Sequence, residues 1–285
     1  MGITSPAETR RPDWTIDQHW ERYTAAEHAI WRTLFTRQQQ LLPGRACDAF
    51  VAGMQALPIG PDAIPDFDRL SEVLMKKTGW QVVAVPGLVP DDVFFDHLAH
   101  RRFPAGQFIR RADQLDYIEE PDIFHDVFGH VPMLMHHVIA DFIQAYGEGG
   151  LRAQKLGVLP NLARVYWYTV EFGLVRQTEG LRIYGSGIAS SYTESVFALD
   201  DASPNRIGFD LKRVMRTNYR IDDFQQTYFV LDSFDDLLNL AEIDFADLYR
   251  EVQALPAIDP AEIVPGDRIL TRGKGRYPAQ KDGPR

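Results

Sequence analysis

The 285-residue chain contains a single cysteine, Cys47, which excludes an internal disulfide framework and fits a reducing compartment. No apolar run approaches the roughly 20 residues needed to cross a bilayer. The N-terminal MGITSPAETRRPDW lacks the apolar stretch of a secretory signal. Positive charge is scarce: 30 Lys and Arg stand against 40 Asp and Glu, a net charge of −10, and no basic block exceeds a pair. Nucleic acid and anionic membranes are bound by clustered basic faces, so neither is expected as a partner. Repeats, heptads and long linkers are also missing. What is present is ordinary for a large single core, 45% hydrophobic residues with a somewhat rich 12% of aromatics. The expectation is a cytoplasmic globular protein.

Residues 1–14 are polar and carry Pro6 and Pro12, a loose lead-in. Thr24 and Glu27 have the capping-box spacing before Ile30, Leu34 and Leu41, and Pro43-Gly44 stops that helix. Further helices are expected around Phe50 to Leu57, after Pro65-Asp66, and from a cap at Asp91 through Phe94 to Leu98. Gln81–Val85 reads as a strand closed by Pro86-Gly87, and Gln107–Arg110 as another. Asp122–Gly129, Val138–Gln154 and Asn161–Gln177 read as helices, and Tyr184–Ser195 as a Gly/Ser loop. A helix near Asp210–Arg216, a strand at Tyr228–Leu231 and two helices from Ser233 to Ala254 follow. From Pro256 onward Pro, Gly and charge dominate, with at most a peripheral strand at Arg268–Thr271. The class is mainly α with a few short strands: a lead-in at 1–14, one body at 15–255, and a peripheral tail at 256–285.

Six of the eight histidines fall between His97 and His137. The sharpest pair is His125 and His130 in PDIFHDVFGHVP. Metal-binding histidines on one continuous helix normally stand four apart; five apart places them about 140° round an ideal α-helix. Gly129 and Pro132 suggest that the helix ends there and that the backbone turns His130 back. By itself the spacing also fits two ordinary polar residues at a helix end. Glu171 in RVYWYTVEFGLV adds a third donor, a carboxylate whose neighbours are mostly apolar and which is costly to bury unless paired or metal-bound. Two imidazoles and one carboxylate form the facial triad of non-haem Fe(II), with open positions for water or O2. Zinc, with a hydrolytic water, is the rival reading of the same donors.

PDIFHDVFGHVP, followed 41 residues after His130 by the Glu of YWYTVEFGL, resembles the metal site of the pterin-dependent aromatic amino acid hydroxylases. The likeness runs from about Thr24 to Ser233 through LPGRACDAF, GWQVVAVPGL, QFIRR, YGSGIASS and SPNRIGFDL, and is strongest to the compact bacterial branch. It implies a single-domain helical basket without a regulatory or tetramerisation domain. It also implies Fe(II) held by His125, His130 and Glu171, a tetrahydropterin cofactor, and O2 as cosubstrate. The implied reaction converts L-phenylalanine to L-tyrosine, with tryptophan or tyrosine hydroxylation as the family alternatives. Carried over position by position, the resemblance puts the pterin near Gly87, Leu88, Phe94, Ala163 and Tyr166, with Phe94 stacked on its face. Asp126 takes the place of a Glu in animal relatives, one methylene shorter. The amino acid carboxylate falls to Arg110, oriented by Asp122; Ser190 should touch the substrate or the first histidine. Gly187 leaves room for a backbone approach to the substrate, and Trp167 and Phe172 wall the ring pocket. The chain departs from the animal pattern at Ile118-Glu119, where a Thr-Pro pair would supply a substrate contact.

Overall fold

The computed structural model describes residues 10–275, except 117, 222 and 242–244. Most of the expected lead-in and the last ten residues of the expected tail therefore lie outside the described residues.

The first helix starts where local chemistry starts it. Helix α1 (Ala25–Leu41) opens on a complete capping box: Thr24 Oγ1 accepts the Glu27 N–H at 3.2 Å and Glu27 Oε2 accepts the Thr24 N–H at 2.7 Å. Helix α2 (Asp48–Ala56) follows, and α3 (Phe67–Lys77) is capped by Asp66. Strand β1 (Gln81–Val85), helix α4 (Asp91–Ala99) and strand β2 (Arg102–Gly106) form a β-α-β unit, the two strands parallel with Val83 opposite Pro104. Pro90, not Asp91, is the capping residue of α4; Asp91 is its first helical residue, placed where an acid favours the helix N-terminus. Helix α5 (His137–Leu156) crosses α4 closely. A Cβ on Gly147 would lie 2.4 Å from the Ala99 nitrogen, and one on Gly150 would strike the Phe95 ring.

Helix α6 (Leu159–Tyr166) runs directly into a π-helical turn, Trp167–Glu171. The expected helix to Gln177 is thereby cut short. Residues Leu174–Gln177 are strand β3, antiparallel to β4 (Gly180–Ile183) and parallel to β6 (Thr227–Leu231). Leu174 and Val175 suit either helix or strand; partner strands distant in sequence decide the matter. The expected Gly/Ser loop is instead helix α7 (Ser186–Ala189) followed by α8 (Tyr192–Asp200), because Ser191 acts as an N-cap, its Oγ accepting the Glu194 N–H at 3.2 Å. Strand β5 (Asn205–Gly208) and helix α9 (Leu211–Arg216) complete the centre.

The main sheet has the order β4-β3-β6-β5-β7, where β7 (Ile269–Thr271) lies antiparallel to β5 at one edge. Helices α10 (Asp235–Ala241) and α11 (Phe245–Gln253) precede it. A buried Arg213–Asp267 pair, 3.0 Å apart, ties the C-terminal segment to α9. Gln107–Arg110, expected as strand, lies outside β2: the Ile123 N–H reaches the Phe108 carbonyl, and the Arg110 N–H is taken by the Asp122 side chain rather than by a ladder. No helix among the described residues is long and apolar enough to cross a membrane.

Candidate active site and metal centre

His125 and His130 share one helical segment, Phe124–His130, and it is π-helical. A π turn takes up one more residue than an α turn, so side chains five apart come onto one face. The expected break at Gly129 does not occur; the chain passes from the π segment into a 3-10 turn, Val131–Met135. The opposite face of the segment is anchored in the core. Phe124 stacks on Phe128 (4.8 Å) and meets Trp31 of α1 edge-on (5.3 Å), while Phe35 meets Phe128 at right angles (5.6 Å). Apolar packing on one side therefore presents the imidazoles on the other.

Glu171 ends the second π turn and arrives opposite them. His130 Nε2 lies 3.2 Å from His125 Nε2 and 3.2 Å from Glu171 Oε1, and His125 Nε2 is 3.6 Å from Glu171 Oε2. Three donors each about 2.1 Å from one ion, at right angles to one another, stand about 3 Å apart, so the triangle fits a single small cation. Among the described residues these three side chains are the group able to hold a metal. Supporting hydrogen bonds set their orientation. Ser190 Oγ donates to the Ser186 carbonyl (2.8 Å), which leaves it to accept the Nδ1–H of His125 (3.0 Å) and frees Nε2 for the ion. Ser186 Oγ lies 2.9 Å from Glu171 Oε2. Burial opposes ionisation of Glu171, but His130 and His125 outweigh it and hold the carboxyl down to about 2. Burial pushes the His125 imidazole down to about 4, so it is neutral and able to ligate.

A cavity of about 530 Å³ opens in front of the triad. Arg110 lines it, 7% exposed, with Nε and Nη2 each 2.8 Å from the two oxygens of a fully buried Asp122. Burial works against the Asp122 charge, but the Arg110 guanidinium and N–H hold its pKa below the usual range. Asp122 Oδ1 also accepts the His125 N–H (3.1 Å), so one carboxylate fixes both the guanidinium and the start of the histidine segment. Trp167 and Phe172 line the same cavity with ring centroids 4.7 Å apart, as do Ile118 and Glu119. A Cβ on Gly187 would come within 2.9 Å of the Phe172 ring and 3.2 Å of Glu171 Oε2, so only glycine keeps this wall open.

The expected pterin residues lie on another flank of the triad. Phe94 meets Tyr166 edge-to-face (5.8 Å), and Tyr166 stacks on His130 (6.3 Å), a line of rings ending at a ligand. Ala163 is one turn before Tyr166 on α6. Asp126 accepts the Gly106 N–H at 2.7 Å, and burial pushes its carboxyl up to about 7. Gly87 and Leu88 sit in the turn before α4, where the Leu88 N–H reaches Glu120 Oε1 (3.3 Å) and the Leu88 side chain is exposed.

Residues 18–253 match the profile of the biopterin-dependent aromatic amino acid hydroxylases. The chain belongs to this family. Among its relatives, the phenylalanine-4-hydroxylase of Caulobacter vibrioides is 65% identical over 272 residues, covering 95% of this chain and 92% of that protein. That of Ralstonia nicotianae is 61% identical, covering 93% and 85%. The iron- and phenylalanine-bound crystal structure of the Chromobacterium violaceum phenylalanine hydroxylase superposes with a TM-score of 0.87 at 54% identity, covering 91% of this chain and 94% of that one. A structure of the same enzyme with iron(III) and 7,8-dihydrobiopterin also gives 0.87, at 56% identity and 90% and 93% coverage. The mainly helical architecture with short strands is the fold of this hydroxylase family.

Glu194 and Gln225 of the cavity escaped the sequence reading, as did Ser186 beside Glu171 and Tyr219 against Trp167. Ser186 and Glu194 lie within the stretch read as a loop, where a serine three residues before a glutamate was the available signal. Nothing local marks Gln225.

Proposed function

We infer that this chain is a phenylalanine 4-monooxygenase, hydroxylating L-phenylalanine to L-tyrosine with O2 and a tetrahydropterin at a mononuclear Fe(II) site. The observation that carries the reading is the joining, in one cavity, of an iron-type facial triad with a guanidinium held by its own buried carboxylate. His125, His130 and Glu171 hold the iron. Iron and tetrahydropterin together supply the electrons that activate O2.

The protein's own groups bind and orient. Asp122 occupies Nε and Nη2 of Arg110, which leaves Nη1 without a partner among the described residues and open to the substrate carboxylate. Trp167 and Phe172 wall the ring, Gly187 gives it clearance, and Ser190 fixes the His125 tautomer rather than needing to reach the substrate. On the other flank Phe94 offers a ring face to the pterin, beside Gly87, Leu88, Ala163 and Tyr166, and Asp126 offers a carboxyl that is partly protonated near neutrality. Ile118 lines the cavity and offers no hydroxyl to the substrate, whose carboxylate we assign to Arg110. The lone cysteine is buried, with its thiol pushed up by burial to about 11, so it is poorly placed for a disulfide; we read the protein as a cytoplasmic monomer.

The test is anaerobic loading with Fe(II), then addition of tetrahydropterin, O2 and each aromatic amino acid in turn. Tyrosine formation from phenylalanine with the highest kcat/KM is expected. Hydrolytic activity with zinc, and none with iron and O2, overturns the reading; a higher value for tryptophan overturns the substrate alone.

A further inference from the structure

Between α9 and β6 the chain loops back to the ring end of the cavity, about fifty residues beyond Glu171 in sequence. Gln225, 2% exposed, stands at the end of this loop with both ends of its amide engaged. Its Oε1 accepts the indole N–H of Trp167 at 2.9 Å. Its Nε2 donates to the carbonyls of Arg220 (2.9 Å) and Asp223 (3.5 Å), in its own loop. Its backbone N–H reaches Glu194 Oε1 at 3.4 Å, the oxygen that also takes the Tyr228 hydroxyl. Tyr219, from the start of the same loop, stacks on Trp167 with centroids 4.3 Å apart and planes 17° apart.

The two contacts constrain different motions. Stacking on Tyr219 fixes the plane of the indole but leaves it free to slide and turn within that plane. A hydrogen bond from Nε1 removes that freedom, and an indole N–H, a donor only, is costly to leave unpaired in a half-buried site. We propose that Gln225 is a positioning residue: through its bond to Trp167 it sets the wall against which the substrate ring rests. It thereby governs which aromatic ring is accepted and what fraction of pterin oxidation ends in hydroxylated product. The inference rests on the reading of Trp167 as the ring wall. An indole free to swing enlarges the ring end of the cavity, admits a bicyclic substrate more easily and holds a benzene ring less firmly toward the metal face.

Gln225→Met keeps the length and packing of the side chain but cannot accept the hydrogen bond. Against wild type it is expected to raise the tryptophan-to-phenylalanine ratio of kcat/KM about fivefold or more. Less tyrosine should form per tetrahydropterin consumed, and metal content should be unchanged. Trp167→Phe removes the N–H from the other side, so Gln225→Met introduced into that background should add little. An undiminished Gln225→Met effect in the Trp167→Phe background overturns the proposal, since Gln225 would then act through its loop alone. So does an unaltered substrate ratio and product yield in the single variant. If Trp167→Phe itself leaves phenylalanine affinity, measured by calorimetry, and the substrate ratio untouched, the wall reading falls and the proposal with it, while iron-dependent tyrosine formation still upholds the activity. Should Gln225→Met not fold, Gln225→Asn, which keeps the amide but falls short of the indole, carries the same expectations.

Discussion

Glu171, largely buried, and the buried Glu194 line one cavity, and their pKa values are shifted in opposite directions. Burial raises the pKa of each. At the metal end the attraction of His130 and His125, together with hydrogen bonds from His130 and Ser186, outweighs it and keeps Glu171 at about 2, an anion ready for a cation. At the loop end Glu194 meets neutral donors, the Tyr228 hydroxyl and the Gln225 N–H, which do not offset desolvation, and it rises to about 7. The difference teaches that in this cavity the kind of donor, not the depth of burial, decides whether a carboxylate is charged. One end is built to hold an ion, the other to hold a wall.

The largest effect should come from dismantling the charged end. Glu171→Ala or His130→Ala is expected to fold but to lose iron and essentially all turnover, because three protein donors are the minimum for this geometry. Elemental analysis beside activity is the check; full turnover by a metal-depleted variant would sink the assignment. Next comes the other charged pair. Arg110→Ala strands Asp122 without its partner and should cost about 2–5 kcal/mol in amino acid binding, roughly 30-fold or more in affinity. Pterin affinity should change much less, and calorimetry with both ligands separates the two.

The neutral end is expected to show itself through pH. An unperturbed glutamate titrates at 4.5, and Glu194 in the fold at about 7. Between those values the folded protein keeps a proton that the unfolded chain has released. Stability from this group is therefore complete below about 4.5 and is lost as pH rises through about 7, by at most about 3 kcal/mol. Glu194→Gln, neutral at every pH, should gain on wild type as denaturation is moved from pH 5 to pH 8. Parallel pH profiles for the two proteins would mean that Glu194 is ionised in the fold. The smallest effect is expected at Ser190→Ala, which removes the acceptor for His125 Nδ1–H. About tenfold weaker iron binding, read by competition with a chelator, is expected with the fold intact.

Legibility in the sequence followed the range of the forces involved. The capping box of α1, the start of α3 after Pro65-Asp66 and strand β1 were readable because local sequence signals mark them. The triad was readable because its donor types are few and chemically distinctive, and because a longer resemblance placed them in order. How the triad assembles was not. Spacing alone made five apart look like a broken helix, whereas the chain absorbs the extra residue in a π turn held by packing of Phe124 and Phe128 on α1. Helices α7 and α8 were hidden beneath Gly and Ser, which favour turns until a cap and a close approach to Glu171 recruit them.

By itself the sequence determined the starts of α1 and α3, the predominance of α structure, and the residue types able to hold iron and a carboxylate. Those properties depend on spacing and side-chain chemistry, which no fold can alter. Tertiary structure alone decided that Leu174–Gln177 would be strand, that His130 would face His125, that the Glu194 pKa would rise, and that Gln225 would meet Trp167. Each of these turns on a partner brought from far along the chain, and on the removal of water around it. Both follow only when the core closes.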